Sequence, residues 1–548
     1  MEKNPSGWLS SISVNYPCTI LAFRSLFFSC LDHFSGASSR YAPGMKPSAI
    51  RRCQGHRNFR EARVREFFEY NTLHSPRHFN IRFRHTMPNS LVQYFRCPQR
   101  FDLLAWRDEP TGESGYFRFG NDSTCFGSYH AQRPSAFPAG ALHDALDEVV
   151  IEDGKVHLPF SPSQVLEHLQ RESYVGEWRE GPLSILSQIY YFLRPALTVP
   201  VRRHLQRLYL SNWKELSFPS WPVDCSVNNL MEHLLLLSLR ASGEKCVPFI
   251  WFWPNASSSC AIMTHDVENQ EGYDYCSTLM DVDDTFGIKA SFQVIPEERY
   301  MVLPRLLEEI RGRGFEICVH DLNHDGHLYK NREQFLQRAV KINAYGKQFG
   351  AEGFRAAVLY RKQIWYDALE FSFDMSVPNV AHLDPQRGGC CTVMPYFLNG
   401  ILEIPVTTVQ DYSLWNILHD YSISLWKRQT KIIMEKHGCM SFIVHPDYVK
   451  HPRQLLIYRE LLAHLDRLRR DSDVWIATPG EVNRWWRQRA AMHLVEKGGS
   501  WLIEGEGSER ASIGYAKEAE GRLVLSLDHP SLPQSGITSG TAHATTRA

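Results

Sequence analysis

The sequence lacks most features that identify secreted, membrane-spanning or nucleic-acid-binding proteins. Its 13 cysteines never occur with C-x-x-C spacing, which argues against a zinc ribbon and against a thioredoxin-type motif. Acidic and basic residues balance at 60 each, so no global charge favours nucleic acid as a partner. The apolar stretch TILAFRSLFF near the start is too short to cross a bilayer, and Arg24 interrupts it. We therefore expect no stable membrane insertion.

The cysteines and the first residues predict a cytoplasmic protein. An odd, scattered set of thiols fits a reducing compartment better than an oxidising one. Cys260, Cys318 and Cys439 lie inside apolar runs and are predicted to be small core residues. The leading charges are Glu2 and Lys3, and no small-residue cleavage site follows them, unlike in a secretory signal.

Composition changes along the chain predict four regions. Residues 1–86 are rich in Arg, His, Phe and Ser, poor in acids and without period, which predicts a disordered arm or an extension preceding a start at Met87. A basic nucleic-acid arm and an organellar transit peptide are the alternatives for this region. Residues 87–250 carry helical patterns and predict a mostly helical accessory domain. Residues 251–495 predict a larger α/β domain, and residues 496–548 predict short strands followed by a disordered tail.

Three helical patterns stand out in the accessory region. Ser161 and Pro162 are a suitable N-cap and first residue for the helix SPSQVLEHLQRE. A long pattern around YYFLRPALTVPVRRHLQRLYL predicts two helices separated by Pro195 and Pro200. The run VNNLMEHLLLLSLRAS predicts a third helix that ends at Gly243. No catalytic constellation is evident there.

Beyond residue 250, short apolar runs alternate with helical segments. The runs that predict strands are CAIMTH, IKASFQVI, FEICVH, GFRAAV, FDMSV, ILEIPV, MSFIVH and VWIAT. Such alternation is typical of a parallel sheet with helices outside it. Seven or eight units predict a TIM-like (β/α) barrel, with an open doubly wound sheet as the alternative.

Ionisable side chains stand at the ends of five predicted strands, where a parallel barrel places its site. These residues are Asp266, Glu268, His320, His324, Arg355, Asp374 and His445. Strands that served only for packing would need none of them.

The order of these motifs resembles that of the polysaccharide deacetylases, carbohydrate esterase family 4, whose domain is the NodB homology domain. MTHDVE resembles the first motif in a variant with one residue between the acids, HDLNH its H-x-x-x-H motif and GFRA its arginine motif. FDMS resembles the later aspartate motif, IVHPD the final histidine motif, and LEIPVT an intervening strand. The resemblance spans roughly residues 250–490. It implies a metal-dependent hydrolase on a deacetylase-type barrel.

The resemblance implies that Glu268, His320 and His324 bind one divalent ion, with Zn²⁺ or a similar first-row metal expected. Two imidazoles and a carboxylate leave positions open for water and substrate, as a catalytic site requires. Spacing of four brings both rings to one side if the chain turns helically after Val319. The alternative is a surface histidine cluster without an ion.

Asp266 is the expected general base, which takes a proton from the attacking water. In family members with adjacent acids, the first is the base and the second is the ligand. Here Val267 separates the acids, and residues two apart on a strand share a face, so the two roles could also be reversed. Arg355 is expected to orient Asp266 through a charge-assisted bond.

His445 is the expected general acid, because the amine must be protonated to leave and imidazole titrates near neutral pH. By resemblance, Asp374 would hold its ring and raise its pKa. The backbone N–H of Val358 would help to stabilise the oxyanion. Two departures from the family pattern are Ala357, where proline is usual and would fix the loop, and His265, where an aromatic residue is frequent.

The function expected from these residues is removal of acetyl groups from N-acetylated sugars of a polysaccharide or its precursor. One alternative is hydrolysis of another non-peptide C–N bond, such as a cyclic amide, on the same barrel. The other is a carbohydrate-binding protein without turnover, which would have lost the base or a ligand. For the deacetylase and for the binding protein, the expected partner is a carbohydrate.

Overall fold

The computed structural model describes residues 90–106, 113–129, 134–175 and 199–528. Every described residue lies in one compact unit, His85–Ala548. The predicted N-terminal arm, the start at Met87 and the predicted disordered tail beyond residue 528 lie outside the described residues.

Eleven α-helices occur within the described residues. In chain order they are α1 Ser90–Phe95, α2 Pro162–Gln170, α3 Val199–Tyr209, α4 Ser226–Ser242, α5 Gln270–Thr285, α6 Pro304–Gly312, α7 Arg332–Phe349, α8 Ser424–Glu435, α9 Pro446–Val449, α10 Pro452–Ser472 and α11 Pro479–Ala491. None of these described helices is both long and apolar enough to span a bilayer.

Nineteen strands occur in the same described residues. Before the central sheet come β1 Leu104–Trp106, β2 Ser114–Arg118, β3 Thr124–Ser128, β4 Val150–Glu152, β5 Lys155–Leu158 and β6 Val247–Ile250. The central sheet holds β7 Ser259–Val267, β8 Ala290–Val294, β9 Glu316–His320, β10 Gly353–Arg355, β11 Phe373–Asp374, β12 Tyr396–Leu398, β13 Ile401–Glu403, β14 Cys439–Ile443 and β15 Val474–Ala477. The C-terminal strands are β16 His493–Lys497, β17 Ser500–Glu504, β18 Ile513–Ala519 and β19 Arg522–Ser526.

The central sheet confirms the predicted parallel α/β core. Its strand order is β12-β13-β11-β10-β9-β8-β7-β14, with β15 also paired to β7. Every pairing is parallel except β12 with β13, which is antiparallel. All nine residues of β7 are buried, as expected for a central strand covered on both faces.

The sheet curls, but no strand ladder joins β13 to β14 within the described residues. Residues 406–408, called the seam here, lie between the two sides. The Val406 N–H donates to the Val377 carbonyl at 3.0 Å, which ties the seam to the chain beyond β11. On the β14 side, the hydroxyls of Thr407 and Thr408 donate to the carbonyls of Cys439 and Ser441, each at 2.7 Å. The sheet is therefore a curled, partly closed barrel, and the seam contacts β14 through these hydroxyls and the Thr408 N–H instead of a strand ladder.

The two faces of the sheet pack against different parts of the chain. On β9, Ile317 and Val319 belong to the core formed with helices α5 to α8 and α10, whereas Cys318 belongs to a core shared with α4 and α11. His320 follows Cys318 by two positions and therefore lies on the inner face. The strand thus delivers an imidazole into the mouth of the curled sheet.

The region before β6 contains the predicted helix signals as well as strands. The Ser161 hydroxyl accepts a hydrogen bond from the Gln164 N–H, and Gly243 ends α4 with a φ of 68°. The described residues there also include five short strands, β1 to β5, which the sequence patterns did not predict. The first of the two proline-separated helices lies largely outside the described residues. The domain boundaries stay a prediction.

The C-terminal strands join the region before the central sheet. Strand β18 pairs with β19 and also, antiparallel, with β6, where Gly514 stands opposite Phe249. Strands β16 and β17 form a separate hairpin. The β structure predicted for the C-terminal part is therefore present, although one of its strands completes a sheet begun before residue 251.

Candidate active site

The end of β7 carries both acids of the first motif. Arg355, at the end of β10, donates from Nη1 to Asp266 Oδ1 at 2.5 Å, and the structure thus brings this predicted pair together. The same guanidinium donates to the Thr264 hydroxyl at 2.8 Å and to the Met375 carbonyl at 3.0 Å. Arg355 is completely buried. Its fixed fork therefore holds the Asp266 carboxylate in one orientation.

The electrostatics keep Asp266 ionised. Burial alone would raise the pKa of its carboxyl, but Arg355, His320 and His445 outweigh burial and lower that pKa below its usual value. An ionised, oriented carboxylate that is 3.7 Å from the Nε2 atom of His320 has the charge state a base needs.

Glu268, His320 and His324 converge in the mouth of the sheet. One side-chain ligand atom from each lies within 4.8 Å of the others. His320 Nδ1 donates to the Arg355 carbonyl at 3.1 Å, which leaves Nε2 buried without a hydrogen-bond partner among the described residues. His324 Nε2 lies 2.9 Å from Glu268 Oε1, but the alignment is not that of a hydrogen bond.

These three side chains fit a divalent cation. The unpartnered His320 Nε2 and the unaligned contact between His324 and Glu268 are the arrangement expected of ligands that share an ion. Burial lowers the pKa of His320 to about 4, and Asp266 only partly offsets this, so its ring is neutral and able to ligate. The donor set of two imidazoles and one carboxylate suits Zn²⁺ and similar metals without choosing among them.

The backbone between His320 and His324 brings the two rings together without a helical turn. Such a turn was the condition under which spacing of four would place both rings on one side, but residues 321–324 form no helix, and Asp321 and His324 have φ values of 58° and 55°. The Leu322 N–H donates to Asp321 Oδ1 at 2.6 Å, which stabilises the first left-handed residue. The two left-handed residues change the direction of the chain so that the His320 and His324 rings lie together, with centroids 4.9 Å apart.

His445 follows β14 and is oriented by Asp411. His445 Nδ1 lies 2.6 Å from Asp411 Oδ1, and the His445 N–H donates to Asp411 Oδ2 at 2.8 Å. Burial would lower the pKa of His445, but Asp411 and then Glu268 raise it well above its usual value. Its Nε2 atom is 3.6 Å from Glu268 Oε1, so the protonated ring faces the candidate metal site. The geometry suits a general acid.

The prediction that Asp374 holds His445 is wrong. Asp374 accepts hydrogen bonds from the N–H and hydroxyl of Ser376, and it stands opposite Glu403 on the adjacent strand. It shares a register row with Phe354, whereas Arg355, one position further, points inward. A side-chain period of two therefore turns Asp374 away from the mouth.

Asp411 could not be predicted from the strand ends, because it does not stand at one. It lies in VTTVQDYS, eight positions after Glu403, which ends β13. The chain runs along the seam after β13 before it reaches the mouth of the sheet, so Asp411 lies several residues beyond the end of that strand. An acid after the LEIPVT strand was the available signal.

The loop after β10 contains Val358, the expected oxyanion donor. Val358 has a φ of 59°, and Leu359 follows with a φ of 52°. Left-handed backbone at a β-branched residue is an outlier that marks a constrained turn. The oxyanion role of its N–H stays a prediction.

His265 is held by hydrogen bonds inside the core and has a structural role. Its Nδ1 lies 3.1 Å from the Val444 carbonyl, and its Nε2 lies 3.0 Å from Asp283 Oδ2. Tyr458 donates to the other Asp283 oxygen at 2.5 Å. Both ring nitrogens have partners and the side chain is fully buried, so the imidazole stabilises the packing of β7.

No model of a protein family matches the chain, and no curated protein matches its sequence. Solved structures resemble it over less than half its length. A polysaccharide deacetylase from Mycobacterium smegmatis is 16% identical, with a TM-score of 0.35 over 43% of this chain and 93% of its own. The allantoinase PuuE is 12% identical, with a TM-score of 0.34 over 43% and 92%.

A family 4 acetyl xylan esterase from Clostridium thermocellum, solved with a cobalt ion, is 13% identical. Its TM-score is 0.26 over 41% of this chain and 91% of that one. The solved structures similar to this chain therefore include polysaccharide deacetylases and a metal-containing carbohydrate esterase.

Proposed function

We propose that the protein is a metal-dependent hydrolase that removes acetyl groups from N-acetylated sugars of a polysaccharide or its precursor. One observation carries the proposal. Three ligand atoms within 4.8 Å of one another are flanked by an arginine-held carboxylate and an aspartate-held imidazole, all at the carboxyl ends of parallel strands. Such a set contains the ligands, base and acid that amide hydrolysis requires.

Glu268, His320 and His324 would hold the cation, for which zinc is our proposal. When bound, the cation supplies Lewis acidity, which makes water a better nucleophile near neutral pH and polarises a carbonyl. The buried Nε2 atoms of His320 and His324 both lack a hydrogen-bond partner among the described residues, and a cation held between them would be that partner.

The flanking residues would divide the proton transfers. Asp266, ionised and fixed by Arg355, is on the β7 side and would accept the proton of the attacking water. His445, protonated because of Asp411, would donate its proton to the departing nitrogen. An amine is a poor leaving group until it is protonated, so the pKa of His445 must be high enough to keep the proton until that point.

The test is release of acetate from N-acetylhexosamine oligosaccharides by protein of known metal content. We expect about one divalent ion per chain and acetate release that a chelator abolishes and added Zn²⁺ or Co²⁺ restores. An ion without acetate release, but with opening of a cyclic amide, would identify the other C–N hydrolase instead. No ion and no release would favour a binding protein. The cytoplasmic location stays a prediction.

A further inference from the structure

The loop of residues 321–327, called the His324 loop here, contains two non-glycine residues with left-handed backbone, and only Asp321 stabilises that backbone with its own side chain. Asp321 and His324 both occupy the left-handed region, which side chains other than glycine rarely adopt. Such residues persist where surrounding contacts over-determine them. His324 therefore needs supports from outside the loop in order to face Glu268.

Arg299 supplies one support, from the loop that follows β8. Its Nε donates to the Asn323 carbonyl at 3.1 Å, and its Nη2 donates to the carbonyl of His324 itself at 2.5 Å. The Glu297 N–H donates to the Leu322 carbonyl at 2.9 Å in the same region. These bonds fix the backbone on which the imidazole is mounted.

Arg338 supplies the second support, from α7. Its Nη1 and Nη2 donate to the two oxygens of Asp325 at 2.7 Å and 2.6 Å, a bidentate pair. Asp325 Oδ1 also accepts from the His327 N–H at 2.8 Å, so the carboxylate closes the loop on itself. The Arg338 side chain is only 14% exposed, which limits competition from water.

We propose that Arg299 and Arg338 are positioning residues for the metal site. Two elements outside the His324 loop, the loop after β8 and helix α7, hold it so that His324 Nε2 lies 2.9 Å from Glu268 Oε1 and its ring centroid lies 4.9 Å from that of His320. Neither arginine touches the ligand atoms in the described contacts. Their hydrogen bonds would act on the cation through the preorganised backbone of the loop, whereas the positive charge of Arg299 near His324 would by itself oppose cation binding. This inference rests on the proposed function only in that these three ligands bind a divalent cation.

The test is titration of the metal-free protein with Co²⁺, followed by the visible absorption of the bound ion. We expect Arg338→Gln and Arg299→Gln each to weaken Co²⁺ binding by about 10-fold, as outer-shell substitutions do, and to alter the absorption band. Arg338→Lys should recover part of the affinity. Asp325→Asn combined with Arg338→Gln should weaken binding no more than either substitution alone.

The matched control is Arg313→Gln, which removes an arginine paired with Asp281 and Asp284 on the same barrel. It should leave the Co²⁺ affinity unchanged. Thermal unfolding and near-ultraviolet circular dichroism of the metal-free proteins check folding. Because Arg299 is exposed, its variant keeps the proposal testable if Arg338→Gln does not fold.

The outcomes separate this inference from the proposed function. Weaker Co²⁺ binding in both arginine variants supports the inference, whether or not the parent releases acetate. Parent-like affinity and absorption in both variants would overturn it, although acetate release by the parent would still support the proposed function. A parent protein that takes up no Co²⁺ would overturn both.

Discussion

Two buried arginines in this protein have opposite kinds of partner. Arg355, in the mouth of the sheet, contacts the Asp266 carboxylate. Arg489, on α11, is 2% exposed and has no carboxylate partner among the described residues. Its guanidinium donates at 2.7–3.2 Å to four carbonyls, those of Tyr94, Phe95, Ile250 and Trp251.

The two arginines therefore have different roles, one in the candidate active site and the other in holding parts of the fold together. The positive charge of Arg355 keeps the Asp266 carboxyl group ionised and oriented. Arg489 joins α1, β6 and α11 through main-chain groups. Burial, followed by the nearby Arg96, lowers the pKa of Arg489 to about 9, which shows how little compensating charge surrounds it. Substitutions near Arg355 should therefore affect turnover, and substitutions at Arg489 should affect stability.

The largest effect should follow Asp266→Asn. Loss of a general base typically lowers kcat by about 10²–10⁴-fold, and we expect the upper part of that range here. Acetate release and metal content, measured on the same preparation, check this, because the ion should remain bound. If Asp266→Asn instead empties the site while Glu268→Gln retains the ion, the roles of the two acids are reversed.

His445→Ala should come next. We expect amide hydrolysis to fall by about 10³-fold, because the departing amine loses its proton donor. An activated acetate ester, whose leaving group needs little protonation, should be hydrolysed with a much smaller loss. Equal losses on both substrates would show that His445 does not protonate the leaving group.

Arg489→Met should lower the free energy of unfolding by about 3 kcal/mol, because several buried carbonyls lose their hydrogen-bond donor. Denaturant unfolding measures this, and the metal content of the folded protein should be unchanged. The control is Arg484→Met, an exposed position on the same helix, which should change stability by less than about 0.5 kcal/mol. A large loss of bound metal in Arg489→Met would break the distinction drawn above.

The smallest effect concerns Glu316, at the start of β9, away from the mouth. Burial raises the pKa of this carboxyl from 4.5 to about 7, although the Gly480 N–H partly offsets burial. The folded state then holds a proton that the unfolded state releases, so this contribution to stability is lost as pH rises from about 4.5 to about 7.

Glu316→Gln should remove that loss, which we place at about 1 kcal/mol because part of the side chain reaches solvent. Urea unfolding at the two ends of the pH window measures it. The glutamine carbonyl can still accept from Gly480. A variant with the parent's pH slope would show that another group is responsible.

Much of the architecture could be predicted from apolar runs. Strands such as β7 and β14 were visible because burial on both faces leaves a nearly continuous apolar segment. Helix α5 has a weak helical pattern because its apolar positions are diluted by acids, and β12 is not among the predicted strands because an antiparallel edge strand of three residues carries little pattern. Elements whose positions depend on pairing between strands distant in sequence could not be predicted, because such pairing leaves no pattern in the local sequence.

The site was predictable where residues stand in the last positions of strands or just beyond them. Asp266, His320, Arg355 and His445 do so, and the structure brings all four to one mouth. Asp374 also ends a strand, but the register of β11 turns it outward, and register depends on neighbouring strands that a single sequence does not reveal. Asp411 reaches His445 only after the chain has passed along the seam.

The seam has a consequence for native-state motion. Because residues 406–408 meet β14 largely through threonine hydroxyls, this boundary can part without breaking a continuous ladder of amide bonds. The Thr408 amide, 3.3 Å from the Ser441 carbonyl, should exchange its hydrogen sooner than amides in β7. Opening at that place would move Asp411, three residues further along, and so would loosen His445, the proposed proton donor, before the three proposed metal ligands.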